Sequence, residues 1–333
     1  MASMDTNKEN VPKRSREFFV IDSAGIRSKL SYAALLDHFQ ASLPSATELV
    51  RCPHRQQFSI DSSSTLLLMP SWPSTSVFPY LGVKIVTSFP QNSARNLPGI
   101  NASYLLFDSA IGRPLSCIDG TEMTLWRTSC VSALAARKLA REDAGVLVMV
   151  GAGALATHLI RAHLTVRPSL KKVFIWNRTA EKAISLVKKL QEEVNGVQFV
   201  HGASLGDIIG EGDVVSCATS SEVPVVEGQK LKNGVHLDLV GSFTPSMKEC
   251  DDEAIARGRV FVDCEAAFAE AGELVGAFDR GVISPGDVVA TLPELIKGEK
   301  IGRSCSDQIT VFKSVGSAVV DLLAAQLIYE SHL

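Results

Sequence analysis

The chain has 333 residues, 46% of them apolar and 21% charged. This is a globular composition that excludes collagen-like, coiled-coil and disordered classes, and at about 150 residues per domain the length sets a prior of two domains. Thirty-three basic against 36 acidic residues leave a net charge of −3, and aromatic residues make up 6%, so nucleic acid has neither the electrostatic nor the base-stacking footprint of a main partner.

Residues 1–17, MASMDTNKENVPKRSRE, are polar and read as a disordered segment. They lack the apolar stretch of a secretory signal, and Asp5, Glu9 and Glu17 count against the acid-poor composition of an organellar transit peptide. From 18 to 138 the chain mixes an early helix at 32–39 with short strand-like runs at 58–60, 65–69, 83–88 and 104–107. Ser/Pro-rich stretches such as SWPSTSVFP at 71–79 separate them, a pattern that predicts an α+β domain. A helix at about 131–141 leads into VLVMV at 146–150, a strand-length apolar run that ends in Gly151-Ala152-Gly153-Ala154-Leu155-Ala156. A helical pattern follows, then KVFIW at 172–176, an amphipathic stretch at 179–194, and short apolar runs at 197–200, 214–217 and 235–240. Strands alternating with helices at this pitch predict a doubly wound parallel sheet covered on both faces, here assigned to 139–305. TVFKSVG at 310–316 precedes a C-terminal helix at 317–329.

The seven cysteines are dispersed and odd in number, the usage of an intracellular protein with reduced thiols. Cys217, Cys250 and Cys264 read as small core residues. Neither the cysteines nor the seven histidines cluster as zinc ligands do, and no apolar run approaches the roughly 20 residues that span a bilayer. No membrane or metal partner is expected.

A strand followed by G-x-G-x-x-A opening a helix is a dinucleotide-binding pattern in its proper context. Gly151 allows the tight turn, Gly153 lets the backbone approach a pyrophosphate, and Ala156 lets the helix pack closely on the strand. At the end of the second strand, an NAD-specific site usually places an acid to receive the ribose 2′-hydroxyl. Here the residues are Asn177-Arg178-Thr179. Arg178 can pair with a 2′-phosphate and Thr179 can donate to it, which favours NADPH, with NADH as the alternative.

A dinucleotide does not name a reaction. Arg55, Lys84 and Arg127 stand out in the first domain. Lys84 interrupts the apolar run GVKIV, where a charge is costly unless it faces a cleft or is paired. Three cations converging on one pocket suit a carboxylate substrate; taken singly, each reads by default as a surface charge. His158 and His163 read as residues on the solvated or packing faces of the first helix after the glycines. His236 reads as a core histidine, and Glu265, Glu270 and Glu273 as a solvated helix face. Serine hydrolase, zincin and P-loop motifs are absent from the sequence.

The runs GTEMTLWRTSCVSALAARKLA (120–140), VLVMVGAGALATHLI (146–160), VFIWNRT (173–179), HLDLVGSFTPSMKECDD (236–252) and TVFKSVGSAVVDLLAAQLIYES (310–331) resemble the ornithine cyclodeaminase/mu-crystallin family over nearly all the chain after residue 20. LLLMPSW, LGVKIVT and LVGSF are most similar to its plant SAR-deficient type, a branch that reduces dehydropipecolate (piperideine-2-carboxylate), a lysine-derived cyclic ketimine, to pipecolate. The resemblance implies a Rossmann domain for NAD(P)(H) and a homodimer. It also implies that 18–138 plus 306–333 form the substrate-binding and dimerisation domain, and it suggests the plastid stroma, with the cytoplasm otherwise. By position it makes Arg55, Lys84 and Arg127 substrate-binding or catalytic residues. It makes Gly151, Ala152, Gly153, Leu155, Asn177, Arg178, Thr179, Ala218, Thr219 and Val240 dinucleotide contacts.

One departure matters. Ornithine cyclodeaminases carry an aspartate just after the Val-Gly-Gly that corresponds to Val240-Gly241-Ser242, and Phe243 stands there instead. Phenylalanine can neither accept a proton nor hold an ammonium by charge, which argues against ornithine-to-proline chemistry, whereas an apolar wall suits a ring of methylenes. The expected activity is ketimine reduction. The alternatives are an ornithine cyclodeaminase, an amino-acid dehydrogenase, or a protein that holds NADPH and a small ligand as mu-crystallin relatives do.

Overall fold

The computed structural model describes residues 17–95 and 97–333; the expected N-terminal disorder lies, except at Glu17, outside the described residues. The chain opens with strand β1 (Phe19–Ile21) and helices α1 (Ser23–Lys29) and α2 (Tyr32–Leu49). Asp22 caps α1 by accepting from the Gly25 N–H at 2.8 Å, and Ser31 caps α2 by accepting from Ala34. Strands β2 (Val50–Arg51), β3 (Gln56–Ser59), β4 (Thr65–Pro73), β5 (Tyr80–Ser88), β6 (Ile100–Asp108) and β7 (Pro114–Asp119) follow, then helix α3 (Gly120–Leu139). The strands form one sheet in the order β1-β7-β6-β5-β4-β2, with β3 also on β4. β1 pairs with β7 in parallel, and the other pairs are antiparallel.

The second sheet is built from β8 (Val146–Val150), α4 (Ala154–Val166), β9 (Lys172–Trp176), α5 (Ala180–Glu193), β10 (Gln198–His201), α6 (Leu205–Ile208), β11 (Val214–Cys217) and β12 (His236–Leu239). It continues through α7 (Asp252–Arg257), β13 (Arg259–Val262), α8 (Ala267–Glu270), α9 (Gly272–Asp279), β14 (Ala290–Thr291), α10 (Leu292–Lys297) and β15 (Thr310–Lys313), and α11 (Ala318–Glu330) closes the chain. Every pairing in this sheet is parallel, in the order β10-β9-β8-β11-β12-β15-β13-β14. Strand order turns about β8, with β9 and β10 on one side and β11 and β12 on the other. This is the switch point of a doubly wound fold, where a crevice opens at the carboxyl ends of the strands.

The C-terminal stretch 306–333, expected as part of the first domain, divides. β15 lies between β12 and β13, and all four of its residues are buried: Val311 and Phe312 enter the apolar cores on the two faces of the sheet, while Thr310 and Lys313 are paired with His236 and Glu273. α11 then crosses back and packs on α2, α3, β4, β5 and β6. Two helices also outrun their expected bounds. α3 begins at Gly120 rather than near 131, capped by Asp119, which accepts from the Glu122 N–H at 2.9 Å. It is buried almost all round, so no amphipathic period marks its start. α2 continues from 39 through Pro44 to Leu49.

Alternation along the first sheet orients the site. Tyr80, Gly82 and Lys84 of β5 and Tyr104 and Leu106 of β6 are buried beneath the helices, while Leu81, Val83, Ile85, Leu105 and Phe107 are half-buried on the other face. The apolar core of this unit runs on without a break through α3 into Ala162, Phe261 and Phe312 of the second.

Candidate active site

Four neighbouring strands, β9, β8, β11 and β12, end side by side, and the residues expected to contact a dinucleotide stand at those ends. Gly151, Ala152, Gly153 and Leu155 join β8 to α4; Asn177, Arg178 and Thr179 follow β9; Ala218 and Thr219 follow β11; Val240 follows β12. Gly151 has φ +107°, and a Cβ there would lie 2.6 Å from the Ala218 carbonyl oxygen, so only glycine turns the chain here. The Ala152 N–H donates to Asn177 Oδ1 at 3.0 Å, and Asn177 Nδ2 donates to the Thr179 carbonyl at 2.9 Å. Gly153 caps α4 with no side-chain hydrogen bond, and the space where its Cβ would stand is open for 4 Å. The first-turn N–H groups of a 13-residue helix therefore face an open cradle suited to an anionic phosphate. Arg178 and Thr179 are exposed at its rim.

At the other half of the same sheet edge, three cations come together. Lys84 Nζ lies 2.7 Å from Asp321 Oδ2, and Arg127 Nε lies 3.0 Å from Asp321 Oδ1. All three residues are buried, which answers the cost of a lysine within an apolar strand: it is paired across the sheet with α11. Burial lowers the Lys84 pKa to about 8, against the pull of Asp321 and with the push of Arg127 and Arg55. Burial works against the charge on Asp321 too, but Lys84 and Arg127 outweigh it and hold the carboxyl below its ordinary value. Arg127 is pressed against Gly316, which has φ +85° and where a Cβ would lie 2.7 Å from Nη1.

Arg55 joins this group through its field, which acts on both Lys84 and Asp321. Its Nη2 lies 2.5 Å from Glu270 Oε2 and donates to the Val315 carbonyl at 3.3 Å. A cavity of about 450 Å³ is lined by Arg55, Met69, Asp263, Cys264, Glu270 and Gly316 among others. Asp263 fixes the turn after β15 by accepting from Ser314 Oγ and from the Val315 and Gly316 N–H groups at 2.7–3.1 Å. Arg55 and Glu270 thus stand at the wall of the cavity, with Lys84, Arg127 and Asp321 buried behind the Gly316 turn that also lines it.

Two of the acids here were legible only as something else. Glu270 and Glu273, expected on a solvated face, are half-buried and buried; Glu270 meets Arg55, and Glu273 Oε1 lies 3.0 Å from the buried Lys313 Nζ. Glu265 is exposed. The period of the helical spacing does not continue because the chain breaks at Ala271 between α8 and α9. Asp321 escapes the sequence reading; an acid within the apolar helical run at 317–329 is the signal of pairing that could have found it, although spacing does not disclose its partner. His236 is a buried core residue bonded to Thr310 Oγ1 at 3.0 Å. His163 is buried 3.3 Å from Asp238 Oδ2, and His158 meets the hydroxyl of Tyr32 at 3.0 Å between the two units.

The model of the ornithine cyclodeaminase/mu-crystallin family matches residues 17–333. "Protein SAR DEFICIENT 4" of Arabidopsis thaliana is 54% identical over 315 residues, 94% of this chain and 97% of that protein. A Delta(1)-pyrroline-2-carboxylate reductase of Colwellia psychrerythraea is 33% identical over 318 residues, 93% of this chain and 98% of that one. Among solved structures, the Delta(1)-pyrroline-2-carboxylate reductase of Thermococcus litoralis, in complex with NADH and L-proline, superposes with a TM-score of 0.88 at 28% identity, covering 94% of this chain and 96% of that one.

Proposed function

The chain belongs to the ornithine cyclodeaminase/mu-crystallin family, and from that premise we propose that it reduces a cyclic ketimine carboxylate with NADPH. The substrate is piperideine-2-carboxylate (dehydropipecolate) and the product pipecolate, within lysine-derived pipecolate synthesis and the systemic acquired resistance of a plant. The observation that carries the reading is the position of the cation cluster. β12, whose end belongs to the dinucleotide crevice, is the immediate neighbour of β15, whose following turn packs on Arg127 and Arg55. A cofactor lying along this edge and an acid held by the cations would therefore be neighbours. Similarity to two pyrroline-2-carboxylate reductases supports the reaction class. The open cradle at Gly153 fits a nicotinamide dinucleotide, held by Gly151, Ala152, Gly153, Leu155, Asn177, Ala218, Thr219 and Val240, with exposed Arg178 and Thr179 available to a 2′-phosphate.

A bound reduced nicotinamide supplies the hydride for C2 of the imine. The chain's own residues do the rest. Arg55 and Arg127 present planar forks that clamp the substrate carboxylate and orient C2. Lys84 Nζ, steered by Asp321, gives a proton to the ring nitrogen, because a protonated imine is the better electrophile. With its pKa lowered to about 8, the lysine is charged at neutral pH and still acidic enough to release that proton. Phe243, 39% exposed after the β12 turn, supplies an apolar surface for ring methylenes rather than the charge a cyclodeaminase uses.

The apolar outer face of the first sheet, with Leu81, Val83, Ile85, Leu105 and Phe107 half-buried, supports a homodimer formed sheet to sheet. Among the described residues no helix is long and apolar enough to cross a membrane. The plastid stroma is proposed as the compartment on the family resemblance alone. The test is NADPH oxidation with piperideine-2-carboxylate and with pyrroline-2-carboxylate, the product identified in each case. Faster turnover of the six-membered ring to pipecolate is expected. Cofactor binding without consumption of either imine would overturn the reading in favour of a binding protein, and ammonia release from ornithine with oxidised cofactor would overturn it in favour of a cyclodeaminase.

A further inference from the structure

We propose that Glu249 is a positioning residue that locks together the two strand-end turns on which the nicotinamide dinucleotide lies. The proposal rests on the dinucleotide crevice described above. Glu249 is fully buried. Its Oε1 accepts from the Thr219 N–H at 2.6 Å and from Thr219 Oγ1 at 3.0 Å, and its Oε2 accepts from the Gly241 N–H at 2.7 Å. Thr219 belongs to the turn after β11 and Gly241 to the turn after β12, so one carboxylate bridges neighbouring strand ends. The turns touch at that point: a Cβ on Gly241 would lie 2.0 Å from the Thr219 carbonyl oxygen and 2.4 Å from Glu249 Oε1. The backbone of Glu249 is fixed in turn, its carbonyl accepting from the Val225 and Val226 N–H groups at 3.0 and 2.9 Å.

A buried carboxylate accepting three hydrogen bonds is a strong organiser while it is ionised, and a weaker one once a proton occupies one of its oxygens. The groups around it set that balance. Lys313 at the end of β15 and Glu273 on α9 form a buried ion pair beside it, and the thiols of Cys217 and Cys250 complete the surroundings, both kept protonated by burial. Two carboxylates thus share one ammonium. Burial raises the Glu249 pKa to about 7, Lys313 opposing the rise and Glu273 adding to it. Protonation near neutral pH loosens the turns at Thr219 and Gly241, so acidification weakens cofactor binding through a group distinct from the substrate-binding cations.

The full-length chain and its E249Q and E249D variants test this by titration with NADPH and by steady-state kinetics. E249Q is expected to raise the NADPH Kd and KM about tenfold or more at pH 8, the scale of a lost charge-assisted hydrogen bond, with kcat at saturating NADPH within about threefold. E249D should recover part of the affinity. From pH 8 to pH 6 the wild-type Kd should rise more steeply than that of E249Q, which carries the same response of the NADPH phosphates. Equal Kd values and equal pH slopes would overturn the proposal, as would a fallen kcat with an unchanged KM. Hydrogen exchange of the wild-type chain, corrected for intrinsic rates, gives a second measurement independent of whether the variants fold. The amides of Thr219 and Gly241 should be protected at pH 8 and less so at pH 6; the same protection at both pH values overturns the proposal. A wild-type chain that binds neither NADPH nor NADH overturns the dinucleotide reading itself, and the proposal with it.

Discussion

Lys84 owes its properties to burial and to three residues far from it in sequence. Asp321 raises its pKa, while burial and the neighbouring arginines lower it to about 8. If Lys84 is the proton donor, it must carry its proton to act, so kcat/KM should fall about tenfold per pH unit above about pH 8. Asp321→Asn removes the charge that favours the ammonium and should move this alkaline limb to lower pH, which a pH–rate profile of the variant checks. Lys84→Met should lower kcat/KM at least about 10²-fold with the NADPH Kd unchanged; turnover near the wild-type value would remove Lys84 from the chemistry. Arg178 is exposed, so its replacement by alanine should leave the thermal midpoint unchanged. It should weaken NADPH by about tenfold while leaving NADH nearly unaffected, the signature of a 2′-phosphate contact. Equal effects on both cofactors would assign Arg178 to the adenine or to solvent.

The turn between β8 and α4 has little freedom. Gly151 combines a positive φ with backbone contact against Ala218, so Gly151→Ala adds both strain and a clash. A loss of stability above about 1 kcal/mol is expected, together with weaker dinucleotide binding; differential scanning calorimetry and a cofactor titration read the two effects separately. At this scale the sequence was informative where an element has one clear environment. The runs at 146–150, 172–176 and 214–217 coincide with β8, β9 and β11, because strands covered on both faces are apolar throughout. It was less informative for α3, whose burial on all sides erases the helical period, and for β1 and β7, whose short mixed runs Phe19–Ile21 and Pro114–Asp119 carry no clear alternation.

For the whole molecule, the arrangement of two sheets around α3 decides how the site is assembled. α11 returns from the parallel sheet to the first sheet and brings Asp321 beneath Lys84 of β5 and Arg127 of α3. The outer face of that first sheet carries Leu81, Val83, Ile85, Leu105 and Phe107, an apolar row on which the proposed self-complementary interface rests. Leu105→Glu, on that face, should convert a dimer to a monomer in sedimentation equilibrium. A wild-type chain that sediments as a monomer at micromolar concentration would remove the interface.

The doubly wound sheet, the glycine turn and Arg178 in place of an acid were all legible in the sequence alone. Each depends on contacts within a few residues or on the period of a single element. The convergence of Arg55, Lys84 and Arg127, the counter-charge on Asp321, the burial of Glu270 and Glu273, and the membership of β15 in the parallel sheet were decided by the tertiary structure. These residues lie on separate elements of both units. The pairing of one buried charge with another depends on how those elements cross, which no local pattern of side chains encodes.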